Sequence, residues 1–292
     1  MSLWEQIAID ISRSTGTPFE VGDRRAVGGG CISAAYALTG KDGRAFFVKT
    51  NSADGLDMFE AEAQGLSEMA NTSSITVPRP HGWGIADAQS YLVMDYLNLR
   101  GAGNARDLGE QLAALHRHTA RAFGWHRDNT IGATPQPNDW DTDWIRFWTH
   151  HRLGFQLQLA ARNGYGGRLQ DKGERLLEGF AGLFVDYRPE PSLLHGDLWS
   201  GNYGFDDAGQ PVIFDPATYY GDREADLAMT ELFGGFGRDF YAAYEDAWPL
   251  DAGYAVRKTL YNLYHILNHL NLFGSGYRSQ AEGMMDRLLS EL

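Results

Sequence analysis

The stretch His195-Gly196-Asp197-Leu198-Trp199-Ser200-Gly201-Asn202, followed by Ile213-Phe214-Asp215, holds the residue types needed to phosphorylate a hydroxyl group. A hydroxyl nucleophile needs a carboxylate to orient it and take its proton, and Asp197 is of that type. Mg2+ prefers oxygen ligands and takes only a few from protein, leaving the rest to phosphate and water. Asn202, five residues after Asp197, and Asp215, 13 residues further on at the end of an apolar run, offer such oxygens. Lys49 closes the apolar run Ala45-Phe46-Phe47-Val48 and is one of only four lysines, with Lys41, Lys172 and Lys258. Glu62 follows 13 residues later on a helical pattern, and a strand lysine held by a helix carboxylate is a standard anchor for nucleotide phosphates. Glu60 projects from a different face of that helix, so Glu62, which precedes Ala63 and Leu66, is the partner expected.

The elements that must position these residues can be read from periodicity. Leu3, Ile7 and Ile11 mark a helix over 3–15, ended by Gly16 and Pro18. Gly28-Gly29-Gly30 form a turn between two strands, and CISAAYAL, the turn TGKDGR and AFFVKT read as a hairpin. A dinucleotide-binding glycine turn would lead into a helix, and a P-loop would carry a lysine after its glycines, so neither is present. Met58, Phe59, Ala63, Leu66 and Met69 mark a helix face, and short strands follow near 81–85 and 91–96. After NLRGAG (98–103) the pattern is helical, apart from two short apolar strands flanking the Asp197 loop. The expected fold class is therefore α+β, with a β-rich N-terminal lobe over 1–97 and a helical C-terminal lobe over 98–292. Trp140, Trp144, Phe147 and Trp148 read as a core stripe, and His265 and His269 as buried or capping histidines, since the metalloprotease HExxH pattern fails. Asp226 is expected to accept hydrogen bonds from the backbone of the Asp197 loop.

Composition limits the partners. The 292 residues carry 25 Lys and Arg against 38 Asp and Glu, a net charge of −13, which argues against nucleic acid and anionic membranes. No run approaches the ~20 apolar residues of a membrane span, and the start carries Glu5 and Asp10 where a signal peptide would be basic and apolar. Cys31 is the single cysteine, so no disulfide can form within the chain and a reducing cytoplasm is the expected compartment. The acidity is uneven: residues 197–251 hold twelve acids and only Arg223 and Arg238, which leaves −10 of the −13. That segment favours a magnesium-bound nucleotide and a neutral or cationic acceptor.

Taken singly, each signal has an ordinary reading as a turn cap, an edge lysine or a glycine loop. The ordered set does not. The spacing from Asp197 to Asn202 is that of the protein-kinase catalytic loop. The stretches GGGCISAAY, FFVKTN, MFEAEAQGL, VPRPHGWG, YLVMDYL, HGDLWSGN, FDPATYYGDREADLAM and LYHILNHLNLFG run in order along the chain, which resembles the fructosamine-3-kinase (ketosamine kinase) family within the aminoglycoside-phosphotransferase and choline-kinase group.

The resemblance implies a two-lobed protein-kinase-like fold that phosphorylates the 3-hydroxyl of a ketosamine with ATP and Mg2+. It implies that Asp197 is the base, that Asn202 and Asp215 hold the metal, and that Lys49 and Glu62 form the phosphate-anchoring pair under Gly28, Gly29 and Gly30. It also implies that Met94, Asp95 and Tyr96 form the hinge beside adenine and that Trp199 lies beside the sugar. Pro216 follows the metal aspartate in place of Phe-Gly, so control by activation-loop phosphorylation is not expected. A monomer is expected. Cys31 falls where some members carry a redox-sensitive cysteine, which leaves a disulfide-linked dimer as an oxidised alternative. Two rival functions stay open at this stage: an aminoglycoside or choline kinase of the same fold, and a non-catalytic nucleotide-binding module.

Overall fold

The computed structural model describes residues 1–28, 32–99 and 101–292. Gly29, Gly30 and Cys31 lie outside the described residues. Gly28 is exposed, just past the first strand. In chain order the first elements are α1 (Leu3–Thr15), β1 (Val21–Val27), β2 (Ala34–Gly40), β3 (Ala45–Ser52), α2 (Leu56–Thr72), β4 (Pro80–Ala86), β5 (Gln89–Asp95) and α3 (Ala105–His116). Next come β6 (Asn129–Ile131), β7 (Thr134–Gln136), α4 (Trp144–Trp148), α5 (Phe155–Arg162), α6 (Arg168–Gly179) and β8 (Ser192–Leu194). The remainder are β9 (Tyr203–Phe205), β10 (Pro211–Ile213), β11 (Tyr219–Gly221), α7 (Glu224–Leu232), α8 (Arg238–Ala247), α9 (Tyr254–Phe273) and α10 (Arg278–Leu289).

The chain packs as two compact units, residues 1–104 with 203–216 and residues 105–202 with 217–292. The expected single division between 97 and 98 misses the return over 203–216. That segment folds as the hairpin β9–β10, and its backbone is bound by the first unit. The Ile213 amide donates to the Thr76 carbonyl at 3.1 Å, and the Gly101 amide donates to the Phe205 carbonyl at 3.1 Å.

The first unit is built on an antiparallel sheet in the order β1-β2-β3-β5-β4. Helix α1 starts on a capping box: the Glu5 amide donates to Ser2 Oγ, and Glu5 Oε2 accepts from the Ser2 amide. Its Leu3, Ile7 and Ile11 bury against Phe19, Leu38, Phe46, Val48, Tyr91 and Val93. Strand geometry sends alternate side chains to opposite faces, so Phe46 and Val48 fill that core while Phe47 and Lys49 face the other side of the sheet. Helix α2 then packs against β4 and β5 and carries Glu62.

The second unit is mainly helical: α3 packs on α8, α7 and α5 on α9, and α6 on α10. Trp144, Phe147 and Trp148 are buried as expected, but Trp140 is 49% exposed. The reason is local: Asp143 caps α4 by accepting the Arg146 amide, so the helix begins after Trp140, which never joins its apolar face. Residues 149–154 make a π-turn that joins α4 to α5 and carries the fully buried Arg152. His265 is buried in α9, and desolvation pushes it down to about 3. Among the described residues no helix is long and apolar enough to cross a membrane.

Candidate active site

In the first unit the register of β3 with β5 puts Lys49 opposite Leu92, in the middle of the sheet. Its ammonium lies 2.6 Å from Glu62 Oε1 and 2.6 Å from Asp215 Oδ1. The Lys49 and Glu62 side chains are only 13% and 11% exposed. Burial alone would lower the lysine, but the two carboxylates outweigh it and hold the group above its ordinary range, firmly charged. Burial pushes Glu62 up and Lys49 pulls it back, and the balance remains above the ordinary carboxylate value. Asp215 follows β10 and has a left-handed backbone, φ 58°, which is uncommon for a non-glycine residue. Strain of this kind persists where surrounding structure enforces it, often at functional positions. The Asp215 side chain is 45% exposed.

Elsewhere in the first unit, Met94 is buried in β5 and Tyr96 is half-buried just after it. Asp95 accepts from His81 Nε2 at 2.7 Å and from the Arg79 amide at 3.0 Å. Burial pushes the Asp95 carboxyl up, but those two donors more than compensate and leave it below the ordinary range. Its carboxylate is thus already engaged within the first unit.

In the second unit β8 leads straight into the Asp197 loop. Gly196 has φ 82°, and a Cβ there would stand 2.1 Å from the Ala217 carbonyl oxygen, so only glycine fits. The loop is held from behind by the buried Asp226, whose two oxygens accept the His195 amide at 2.7 Å and the Gly196 amide at 2.8 Å. The structural role expected for Asp226 is thus seen directly. The loop closes on itself: the Asn202 amide group donates to the Asp197 carbonyl at 2.8 Å, and the Asn202 backbone N–H donates to the Trp199 carbonyl at 2.9 Å. Trp199 is 38% exposed and lies over Gly201, where any Cβ would strike its indole.

One part of this arrangement is not visible in the sequence. His116, at the end of α3, is fully buried, with Nε2 3.1 Å from Asp226 and Nδ1 2.8 Å from the Tyr244 hydroxyl. Burial alone would raise the Asp226 carboxyl, but the His116 hydrogen bond and the neighbouring His116 and His195 hold it below the ordinary range. His116 and Tyr244 lie 110 and 18 residues from Asp226, so no local spacing could reveal them. The one available hint is a histidine closing an otherwise apolar helix face, Leu108, Leu112, Leu115, His116.

The donor chemistry suits a nucleotide with a hard divalent cation. Asp215 offers a half-exposed carboxylate and Asn202 an amide, which are hard oxygen donors, and the Lys49 ammonium is the group that would meet phosphate oxygens.

An antiparallel sheet with a strand lysine paired to a helix glutamate, together with a helical unit carrying an Asp-x-x-x-x-Asn loop, defines a phosphotransferase of the kinase-like fold. An ADP-bound aminoglycoside phosphotransferase shares that fold, with a TM-score of 0.61 over 97% of both chains at 14% identity. The fructosamine kinase family profile matches residues 3–291, and the chain belongs to that family. It is 51% identical over 290 residues to a candidate ketoamine kinase of Synechocystis, covering 98% of this chain and 97% of the relative. It is 49% identical over 272 residues to the chloroplastic protein-ribulosamine 3-kinase of Arabidopsis thaliana, covering 91% of this chain and 82% of the relative. The crystal structure of a candidate fructosamine-3-kinase from Haemophilus somnus matches with a TM-score of 0.88 at 30% identity, covering 99% of this chain and 100% of that one.

Proposed function

We propose that this protein transfers the γ-phosphoryl group of ATP to the 3-hydroxyl of a ketosamine, the rearranged adduct of a sugar and an amine. The observation that carries this reading is the Lys49 ammonium held between Glu62 and Asp215, in a chain whose relatives are named ketoamine and ribulosamine 3-kinases. Lys49 binds phosphate oxygens and offsets charge as the bond to the leaving group breaks. Asp197 orients the acceptor hydroxyl and takes its proton, and the Asp226 tether keeps it in place while it does so. Asn202 and Asp215 would hold Mg2+, whose charge would neutralise that of the transferring phosphate. Gly28, Gly29 and Gly30 cover the phosphates, the backbone at Met94, Asp95 and Tyr96 receives adenine, and Trp199 stacks beside the sugar.

The resulting 3-phosphate is unstable and releases the amine, so the biological effect is removal of sugar from amines. The protein acts as a cytoplasmic monomer in this reading, although its plant relatives are chloroplastic. The test is ATP-dependent phosphorylation of a ribulosamine, a fructosamine, kanamycin and choline, with 31P detection of the product. Turnover of either ketosamine alone supports the proposal. Turnover of kanamycin or choline alone overturns it.

A further inference from the structure

From Trp199, which the proposed function sets beside the sugar, runs a series of rings that it leaves unused. The Trp199 indole meets the Phe233 ring edge-on at 6.3 Å, Phe233 lies 5.1 Å from the His269 ring, and His269 lies 5.4 Å from Phe273 and 5.2 Å from Tyr277. Ser200 Oγ donates to the Phe233 carbonyl at 3.4 Å, which ties the start of the series to the loop. At its far end Gly274, φ 95°, closes α9 and turns the chain so that Phe273 and Tyr277 both lie against His269. Phe273 is 61% exposed, a large apolar surface left in solvent at the end of a helix.

We propose that the wall formed by Phe233, His269, Phe273 and Tyr277 receives the amine-bearing arm of the ketosamine, so that an aromatic or alkyl arm is preferred to one carrying a carboxylate. The inference rests on the ketosamine kinase reading. In a ketosamine the nitrogen sits on the carbon next to the carbonyl carbon, whose other neighbour bears the reacting hydroxyl. The arm therefore leaves close to the reacting oxygen, and Trp199 stands two residues from Asp197. Rings continue outward from there, and stacked or edge-to-face contacts with an apolar arm gain from both burial and ring geometry. The alkylammonium is also attracted to ring faces. A carboxylate on the arm gains nothing from such a wall. His269 offers that carboxylate no cation, because burial pushes its imidazole down and its Nδ1 is buried without a hydrogen-bond partner.

The experiment compares kcat/KM, with ATP and Mg2+ and the full-length protein, for two ribulosamines that differ only in the arm: one made from benzylamine, one from glycine. We expect the benzylamine derivative to be favoured about tenfold, and Phe273→Ala to remove most of that advantage while changing the glycine derivative by less than about twofold. Phe273 is exposed, so its truncation empties no core. Equal kcat/KM for the two substrates, or an equal loss on both in Phe273→Ala, would overturn the inference. If the wild type phosphorylates neither compound, the substrate panel above judges the kinase reading, and calorimetric binding of the same pair judges the wall alone. Tighter binding of the benzylamine compound that is lost in Phe273→Ala supports it, and equal affinities reject it.

Discussion

The candidate residues of the first unit and those of the second are held in opposite ways. In the first unit, side chain meets side chain: Lys49 lies between two carboxylates, one of them nearly half exposed on a strained backbone. In the second, a buried carboxylate grips backbone: Asp226 accepts two loop amides and is itself braced by His116 and Tyr244, all inside the protein. The first arrangement can exchange partners, because a cation or phosphate competes directly for Asp215 and Lys49. The second cannot, since removing any member leaves a buried polar group unpaired. In the function proposed above, binding falls to the group that adapts and chemistry to the group that stays fixed.

This contrast can be broken at several points. The largest effect is expected for Asp197→Asn, which keeps the loop shape but removes the proton acceptor; kcat should fall by about a thousandfold while calorimetry still finds ATP bound. Wild-type turnover in that variant would remove Asp197 from the mechanism. Lys49→Met should lower kcat/KM about a hundredfold with little change in melting temperature, since Glu62 can protonate once its cation is gone.

Asp226→Asn should act on stability first. It leaves at least one loop amide unpaired in the interior, and a loss of about 2 kcal/mol, read as a lower melting temperature, is the expected size. That loss depends on pH in a defined direction. The folded-state carboxyl of Asp226 lies below its ordinary value, so its contribution is fully present above the unfolded carboxylate pKa, about 4, and disappears as pH falls through the lower folded value. The melting temperatures of wild type and variant should therefore converge in strong acid, and a constant gap would show that Asp226 does not act through its charge. The smallest effect is expected at Glu62→Gln, about tenfold in kcat/KM, because Asp215 still contacts Lys49. A loss as large as that of Lys49→Met would mean that Glu62, and not Asp215, sets the position of the ammonium.

What could be read from the sequence follows the range of the interactions. Asp197, Asn202 and Asp215 are legible because their spacing is carried by one continuous loop and hairpin. Lys49 and Glu62 are legible because one strand and the helix after it fix their separation. Asp226 is legible as a support but not its bracing, since His116 comes from another helix, 110 residues away, and meets it only in the folded unit. Aromatic spacing continues past the cap at Asp143 and sets Trp140 on the core stripe, but a capping hydrogen bond overrules periodicity. The return of 203–216 to the first unit is not legible for a related reason: a short apolar strand shows in the sequence, but which unit it joins is set by its partners at Thr76 and Gly101.

That return has a consequence for how the protein is made. A ribosome delivers Lys49 and Glu62 early, but the first unit gains Asp215 and its last hairpin only after residues 105–202 have emerged. The first unit therefore cannot be finished before most of the second has been synthesised, and N-terminal-first folding of independent domains does not describe this chain. Until residue 216 emerges, the nascent sheet must carry its lysine on one carboxylate alone.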